Sequence, residues 1–270
     1  MTIEQLEAKT KELKRIAFEM VIKAGKGHLG GSFSCAEILV ALYYEFMHIN
    51  PSDSKWPKRD RFILSKGHAN AVLYAILADL DFFPKEELNK YTQDGALLGG
   101  HCDNVVPGIE VITGSLGHGL GIGCGMAKAA KLDNLDHRVF VVVGDGEMQE
   151  GSVWEALMFA SQHRLNNLYL IVDHNKLGSE DFIENTSNLA NLEDRLASFG
   201  WNVASVLHGH DYADILVGLN FVFNNPTTKP IAVILHTIKG KGMPGFENVP
   251  RSHHTVPKDD KFEVCRRALQ

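Results

Sequence analysis

Short apolar runs that alternate with amphipathic segments are the feature that most constrains the fold of this 270-residue chain. Strands are predicted at residues 61–65, 138–143, 168–172, 201–206 and 231–236. Helices are predicted between them at residues 151–164, 191–199 and 211–223. Because strands that alternate with helices form a parallel sheet covered on both faces, we expect an α/β fold. We expect residues 1–270 to form a single domain.

The N-terminal half adds several helices to this pattern. A capping box at Thr2–Gln5 begins a helix that Gly25 ends, and a second box at Ser34–Glu37 predicts a helix to about His48. Residues 68–80 and 85–91 predict two more helices. Residues 92–115 look irregular, and a long loop of this kind is usually functional or disordered. The glycine-rich residues 114–132 predict a helix packed so closely that side chains are excluded.

Composition excludes several classes of protein. The net charge of −6 argues against a nucleic-acid-binding surface, which would be basic. No apolar run reaches the roughly 18 residues of a membrane helix. The four cysteines form no C-x-x-C pair, and the N-terminus has no signal-peptide pattern, so we expect reduced thiols and a cytoplasmic location.

Oxygen-bearing side chains follow two of the predicted strands. Gly144-Asp145-Gly146 ends one apolar run, and Asn175, 30 residues after Asp145, follows the next. In a parallel sheet these positions meet at the carboxyl edge, where ligands bind. Carboxylate and amide oxygens suit Mg²⁺, with Ca²⁺ or Mn²⁺ as possible substitutes, and Mg²⁺ completes its shell with phosphate oxygens and water. The pattern therefore predicts a metal that holds a diphosphate, with Gly146 allowing close approach and a helix N-terminus near Gly151 facing the anion.

The same pattern resembles the thiamine-diphosphate motif, which opens with G-D-G and closes with an Asn about thirty residues later. The surrounding segments resemble transketolases in family order over essentially the whole chain. These segments are KAGKGHLGGSFS, LSKGHA, GGHCD, TGSLGHGLG, GDGEMQEGSVWEA and KGKG with FENVPRSHH. The resemblance implies a thiamine-diphosphate-binding fold of the diphosphate-binding type.

The resemblance also implies roles for particular residues. Asp145, Asn175 and the backbone carbonyl of Leu177 correspond to the metal ligands. The cofactor is expected to contact Gly146 at its diphosphate and Gly114, Ser115 and Leu116 at its rings. Glu150 and Glu155 correspond to glutamates at a subunit interface that serve the cofactor sites. For Glu155, position alone would indicate an ordinary solvated helix residue.

Four histidines in glycine-rich or irregular stretches complete the expected site. By resemblance, His28 and His253 contact substrate and shuttle protons, whereas His68 and His101 line the thiazolium and the hydroxyls of the donor. His28, His101 and His253 are the candidate catalytic residues, and His68 and His253 also contact the cofactor. A zinc site is the competing interpretation, but no local H-x-x-x-H pair supports it.

Three departures from the family pattern border the substrate cleft. Leu29 replaces a common proline, His118 replaces a glutamine, and Ser252-His253-His254 replaces W-H-G. The metal motif is untouched. The departures leave the identity of the sugar open, with ordinary pentose phosphates as the default and modified ketose phosphates as the alternative.

The resemblance ends where a transketolase would continue. The pyrimidine-binding and C-terminal domains have no counterpart, nor does the glutamate that acts on the aminopyrimidine. We therefore expect the N-terminal subunit of a split transketolase, which transfers a two-carbon ketol unit from a ketose phosphate to an aldose or aldehyde. Its partner would be a C-terminal subunit in an α2β2 assembly. The capping box at Thr2 and the polar tail at residues 258–270 favour a natural unit over a truncated gene.

Other classes fit less well. A dinucleotide oxidoreductase would need G-x-G-x-x-G in register, and a P-loop would need a lysine where Gly31 stands. TGSLG has Thr113 in place of the first glycine of a nucleophile elbow. Within the cofactor class, a deoxyxylulose-phosphate synthase-like enzyme and an E1-type decarboxylase subunit remain open. A regulatory subunit that binds thiamine diphosphate without turnover is the non-catalytic alternative.

Overall fold

A five-stranded parallel sheet forms the centre of the molecule in the computed structural model, which describes residues 1–250 and 252–270. The strands are β1 (Arg61–Leu64), β2 (Val139–Gly144), β3 (Leu168–His174), β4 (Asn202–Val206) and β5 (Ile231–His236). Their spatial order is β1-β2-β3-β5-β4, and every neighbouring pair is parallel. The predicted α/β fold with a parallel sheet is confirmed.

Ten α-helices surround the sheet within the described residues. They are α1 (Ile3–Ala24), α2 (Leu29–Ser34), α3 (Ala36–Ala41), α4 (Asn70–Asp79), α5 (Gly119–Leu132), α6 (Gly151–Gln162), α7 (Ile183–Thr186), α8 (Leu192–Ser198), α9 (Tyr212–Asn224) and α10 (Asp259–Ala268). Short 3₁₀ turns lie at Pro51–Asp53, Gly67–Ala69, Lys85–Lys90 and Glu147–Gln149, and a π-helical turn lies at Leu42–Phe46.

Alternate residues of each central strand pack into two separate cores. Phe140 and Val142 of β2 belong to the core that also contains α1, α3, α4 and α9. Val139, Val141 and Val143 face the other core, which contains α5, α6 and α8. All five residues are fully buried, which explains why β2 is a continuous apolar run and not an alternating one.

The first capping box is confirmed and the second is wrong. Thr2 Oγ1 accepts from Gln5 N at 3.2 Å, and Gln5 Oε1 accepts from Thr2 N at 2.8 Å. Ser34 caps no helix: its hydroxyl donates to Asp173 at 2.5 Å and lies 3.0 Å from the Gly31 carbonyl. The segment is two short helices, α2 and α3, that meet at Cys35, and it continues as the π-helical turn.

The helix predicted at residues 114–132 begins only at Gly119. A Cβ on Gly119 would lie 2.3 Å from Ser65 Oγ, and one on Gly123 would lie 2.5 Å from Val141 Cγ2. These two glycines confirm the predicted close packing. Gly121 and Gly125 have open space at the Cβ position, so close packing does not explain them. The tail, which carried no helix prediction, forms α10 from Asp259.

No helix within residues 1–250 and 252–270 is both long enough and apolar enough to cross a membrane. The four cysteines are free and buried. Burial raises the pKa of the Cys35 thiol to about 11 and that of Cys102 to about 12, so both thiols are protonated at neutral pH.

Candidate active site

A cleft of about 570 Å³ lies beyond the carboxyl ends of β2, β3 and β5. The strand register creates it, because Gly144 pairs with Asp173 and His174 pairs with His236 at one edge of the sheet. Eleven of the thirteen residues predicted for the site line this cleft: His28, His68, His101, Gly114, Leu116, Asp145, Gly146, Glu150, Asn175, Leu177 and His253.

Asp145 is held rigidly at the end of β2. It is 1% exposed, and its Oδ1 accepts from the backbone N–H of Gly146 at 2.8 Å. Its Oδ2 accepts from the N–H of Lys176 at 2.5 Å. Each carboxylate oxygen accepts one backbone N–H and retains a further lone pair, so Asp145 can serve as an oxygen ligand.

Asn175 is oriented by a neighbouring carboxylate. Its Nδ2 donates to Asp173 Oδ2 at 3.0 Å, and its Oδ1 accepts from the Leu177 N–H at 3.1 Å. Since the amide nitrogen is committed to Asp173, the oxygen has the freedom to accept a further partner. The Leu177 carbonyl accepts from Lys239 Nζ at 3.1 Å and retains a second lone pair.

These oxygens fit a magnesium ion that is clamped on a diphosphate. One carboxylate, one amide oxygen and one backbone carbonyl are hard ligands, and Mg²⁺ commonly uses few protein ligands and fills its shell with phosphate and water. Lys239 adds a positive charge for an anion beside them. Burial, with the nearby charge of Lys66, lowers the pKa of Lys239 to about 8, so the ammonium form still prevails at pH 7.

A buried ion pair between Lys66 and Asp173 stabilises this edge of the sheet. Asp173 is 1% exposed, and Lys66 Nζ donates to its Oδ2 at 2.5 Å and to the Gly31 carbonyl at 2.9 Å. Thr237 and Ser34 donate their hydroxyls to the same carboxylate. Burial, the largest single effect, would raise the pKa of Asp173, but the charge of Lys66 and the hydrogen bonds from Lys66, Ser34 and Thr237 together outweigh burial and lower it, so the carboxylate stays ionised.

The four predicted histidines converge in the cleft, as we expected. The ring centroid of His28 lies 5.2 Å from that of His68, 6.0 Å from that of His101 and 5.2 Å from that of His253. Burial, with neighbouring positive charges, lowers the pKa of His28 to about 4, that of His68 to about 2 and that of His253 to about 3. These three imidazoles are neutral at pH 7, so each has one nitrogen that donates and one that accepts a proton.

Two buried histidine nitrogens in the cleft are free to bind a ligand. The buried Nδ1 atoms of His28 and His253 have no hydrogen-bond partner among the described residues. A buried polar atom without a partner costs free energy unless a ligand or water satisfies it. The histidine cluster therefore has the hydrogen-bonding capacity that a hydroxylated ligand requires.

Glu147 holds the loop that precedes α5. It is 2% exposed, and its carboxylate accepts from the Gly117 N–H at 2.8 Å and from the Ser65 hydroxyl. A Cβ on Gly114 would lie 2.8 Å from His101 Cδ2, so only glycine lets the loop pass this close to the histidine. Glu147 thus positions residues 114–117 against the cleft.

Two of the predicted residues lie outside the cleft. Ser115 is exposed and does not line it, although both of its neighbours do. Glu155 is exposed and lines a separate groove of about 410 Å³ with His118 and Cys124. Glu150 is also exposed, although it reaches the cleft. The interface role of Glu150 and Glu155 stays a prediction.

A larger cavity of about 950 Å³ adjoins the cleft and shares Asn175 and Ile183 with it. Its lining includes three other histidines, His174, His208 and His236. None of the four predicted histidines lines it. It also lacks Asp145 and Leu177. We therefore assign the candidate site to the smaller cleft, where the oxygen ligands and the four histidines meet.

Sequence reasoning missed Lys66, Asp173, Lys239 and Glu147. All four are charged residue types that are rarely buried without a partner, and each is less than 5% exposed here. The available signal was their position, because each lies at or just after the carboxyl end of a predicted strand. His254 also lines the cleft, although the sequence marks it only as a departure from the family pattern.

A model of the family described as "Transketolase, thiamine diphosphate binding domain" matches residues 6–270. The fold and the cleft thus define a domain of the thiamine-diphosphate-binding class. Within that class, the chain belongs to the transketolase family.

Two similar relatives are transketolase subunits of about the same length. One, from Phocaeicola vulgatus, is named as the first (A) subunit of an apulose-4-phosphate transketolase. It is 40% identical over 269 residues, which cover 100% of this chain and 95% of the relative. The other, from a Clostridium species, is named as the SqwG subunit of a 6-deoxy-6-sulfo-D-fructose transketolase. It is 39% identical, and the match covers 98% of this chain and 96% of its own.

Longer transketolases match over part of their length only. The solved structure of transketolase from Campylobacter jejuni superimposes with a TM-score of 0.93 at 32% identity, and the match covers all of this chain but 43% of that one. The human transketolase is 36% identical over 98% of this chain and 42% of its own length. This chain therefore spans about two-fifths of these longer relatives.

Proposed function

We propose that this chain is the N-terminal subunit of a heteromeric transketolase. It would transfer a two-carbon ketol unit from a ketose phosphate to an aldose or aldehyde acceptor. The observation that carries the proposal is the meeting of Asp145, Asn175 and Leu177 with four histidines in one cleft. The relatives named as transketolase subunits, which match over nearly their full length, support it.

Residues of the cleft would divide the binding of cofactor and metal between them. Asp145, Asn175 and the Leu177 carbonyl would hold Mg²⁺, and Lys239 and Gly146 would border the diphosphate. Gly114, Ser115 and Leu116 would lie along the rings. When bound, thiamine diphosphate supplies a nucleophilic carbon that attacks a ketose carbonyl and carries the two-carbon unit.

The histidines would handle the protons and hydroxyls of the sugar. His28, His101 and His253 would donate hydrogen bonds to the donor hydroxyls and accept them in return, and His68 would border the thiazolium. The neutral imidazoles of His28 and His253 suit both directions of transfer, and a positioned acid or base typically contributes about 10²–10⁴-fold to a rate.

The proposed complex includes a second kind of subunit. We propose a C-terminal subunit with pyrimidine-binding and C-terminal domains, in an α2β2 assembly with Glu150 and Glu155 at the interface. We further propose that residues 1–270 form one domain and that the complex works in the cytoplasm. The relatives named for apulose 4-phosphate and a sulfofructose make modified ketoses a donor class to test beside pentose phosphates.

Reconstitution tests this function. Neither of the two purified subunits should transfer ketol units by itself when thiamine diphosphate and Mg²⁺ are supplied. Mixing them should give products two carbons longer than the acceptor, detected by mass spectrometry across a panel of ketose phosphate donors. The Asp145→Ala chain, mixed in the same way, is the matched inactive control.

Two results would contradict the proposal. Ketol transfer by this chain alone, with no second protein visible by mass spectrometry, would show that the site is complete without a partner. Tight binding of thiamine diphosphate by a mixed complex that turns over no ketose would favour the regulatory alternative.

A further inference from the structure

The histidine cluster contains one residue that the proposed reaction does not use. His254 lies at the mouth of the cleft, with its ring centroid 4.5 Å from that of His28 and 4.7 Å from that of His253. It is exposed, whereas His28 and His253 are half-buried. The W-H-G motif that this stretch resembles has glycine at this position, so the third imidazole is a feature of this chain.

One ring nitrogen from each of His28, His253 and His254 lies within 4.8 Å of the other two. Zn–N bonds are about 2.0–2.1 Å long, so the nitrogens of a tetrahedral site stand about 3.4 Å apart. Rotation of the exposed His254 ring, with small adjustments of the other two, can close that difference. Within residues 1–250 and 252–270, no other group of three His, Cys, Asp or Glu side chains meets this spacing.

The buried Nδ1 atoms supply an independent observation. Neither His28 Nδ1 nor His253 Nδ1 has a hydrogen-bond partner among the residues described, although both are shielded from solvent. Most metal-binding histidines use one nitrogen for the metal and the other for a hydrogen bond. Here the free nitrogens leave either role open.

We propose that His28, His253 and His254 form a second metal site, which binds Zn²⁺ or a similar borderline transition metal and is separate from the oxygen site of Asp145 and Asn175. Imidazole nitrogens favour Zn²⁺ over Mg²⁺, whereas the carboxylate and carbonyl oxygens of the other site favour Mg²⁺. Three protein ligands leave a fourth position for water or a hydroxyl.

A neighbouring positive charge limits the strength of this site. The Lys239 ammonium, whose charge acts on both His28 and His253, opposes a dication. We therefore expect binding weaker than that of a structural zinc site.

Occupation of this site has a consequence for catalysis that rests on the proposed function. His28 and His253 cannot exchange protons with a sugar while their nitrogens bind a metal. Zn²⁺ should therefore inhibit ketol transfer competitively with the ketose donor, and excess Mg²⁺ should not relieve the inhibition. Metal binding itself does not depend on the proposed function.

Calorimetry with Zn²⁺ on the full chain, in excess Mg²⁺ at pH 7.5, tests the site directly. The wild-type chain should bind one equivalent with saturation, and His254→Ala should weaken binding at least tenfold. His208→Ala is the matched control, since its side chain is 76% exposed and pairs with Asp214 outside the cleft. It should bind like the wild type, and so should Asp145→Ala.

Co²⁺ provides a spectroscopic readout at the same site. The wild-type complex should show the visible absorption of a nitrogen-ligated four- or five-coordinate ion, and His254→Ala should lose it. Equal Zn²⁺ affinity in His254→Ala and the wild type, or no saturable binding by the wild type, would overturn the proposal. If zinc binds as expected but the reconstituted complex transfers no ketol unit, the proposed function fails and the metal site stands.

Discussion

Polar residues at the strand ends are fixed by other buried polar residues and not by solvent. The Asp173 carboxylate accepts hydrogen bonds from the side chains of Lys66, Ser34, Thr237 and Asn175. The hydrogen bond from Asn175 orients the amide of that residue. Breaking a buried ion pair by removing one partner typically costs about 3–5 kcal/mol, because the other charge stays buried. The rigidity of the proposed metal ligands therefore depends on residues that would not contact the metal.

Asp145→Ala should abolish magnesium-dependent binding of thiamine diphosphate. The substitution removes the carboxylate from the proposed oxygen site and the acceptor of the Lys176 N–H. Outer residues of metal sites typically contribute about 10–100-fold to metal affinity, so loss of a direct ligand should exceed about 100-fold. Calorimetry on the reconstituted complex measures it, with the exposed Asp94→Ala as control. Wild-type affinity in Asp145→Ala would contradict the metal assignment.

His68 should make the stability of the chain depend on pH. Its pKa is near 6.5 when unfolded and is lowered to about 2 by burial in the fold. Between these values the unfolded chain binds more protons, so the free energy of unfolding rises with pH and the gain is complete above about pH 6.5. Lowering the pH from 7 to 5 should therefore cost up to about 2 kcal/mol through this residue alone.

His68→Gln should remove that part of the pH dependence. Urea unfolding of the wild type, His68→Gln and the exposed control His208→Gln at pH 5 and pH 7 would reveal it. His208→Gln should show the wild-type loss of stability at pH 5. If His68→Gln loses as much stability as the wild type, His68 is not buried in its neutral form.

Among the helices, α5 carries glycines on two faces, and only one of these faces has room for a larger side chain. Gly123 faces the sheet, where a Cβ would lie 2.5 Å from a methyl of the fully buried Val141. Gly125, one half-turn away, has no atom within 4 Å of its Cβ position. The first glycine is required by packing, whereas the second only lowers the helix propensity.

Gly123→Ala and Gly125→Ala should therefore change stability in opposite directions. Overpacking against Val141 should lower the free energy of unfolding by about 1–3 kcal/mol in Gly123→Ala. Gly125→Ala should raise it by about 0.5–1 kcal/mol, since alanine favours the helix. Urea denaturation of the chain alone measures both. Equal effects of the two substitutions would show that α5 does not pack as described.

For the whole molecule, apolar side chains are exposed on α5 and α6, the two helices that border the groove of Glu155. Ile122 is 37% exposed, Met158 is 55% exposed and Phe159 is 42% exposed. Glu155 lines the groove between α5 and α6 together with Phe159. An exposed apolar surface of this kind commonly marks an interface with another protein. We expect a neighbouring subunit of the proposed assembly to cover it.

Phe159→Asp should weaken assembly with the partner without unfolding the chain. Burial of a charge at a central interface position typically costs about 2 kcal/mol or more, which is about 30-fold in affinity. Analytical ultracentrifugation of mixed subunits measures the assembly, and circular dichroism checks the fold. Phe221→Asp is the control, because Phe221 is 56% exposed on α9, which packs on the opposite face of the sheet. Loss of assembly in Phe221→Asp alone would place the interface on that face.

The parallel α/β fold and the meeting of Asp145 with Asn175 in one cleft could be predicted from the sequence. Val139–Val143 and Leu168–Val172 are continuous apolar runs, as expected for parallel strands that are covered on both faces of the sheet. Because the carboxyl ends of such strands meet at one edge, Asp145 and Asn175 lie close together. The first capping box could also be predicted, because its hydrogen bonds join only Thr2 and Gln5, which are three residues apart. Signals of this kind depend on neighbours in sequence or on the period of a strand, so they can be read before the fold is known.

Pairings between distant residues followed from the tertiary structure and not from any pattern in the sequence. Ser34 has the sequence signature of a helix cap, but Asp173, 139 residues away, takes its hydroxyl instead. Lys66, Glu147 and Lys239 are buried because partners from other segments neutralise them or hydrogen-bond to them. The contacts of His28 with His253 and His254 likewise join distant parts of the chain. A buried ion pair or a shared metal site requires contact between segments that are distant in sequence. The spacing of residues along the chain does not show which distant segments are in contact.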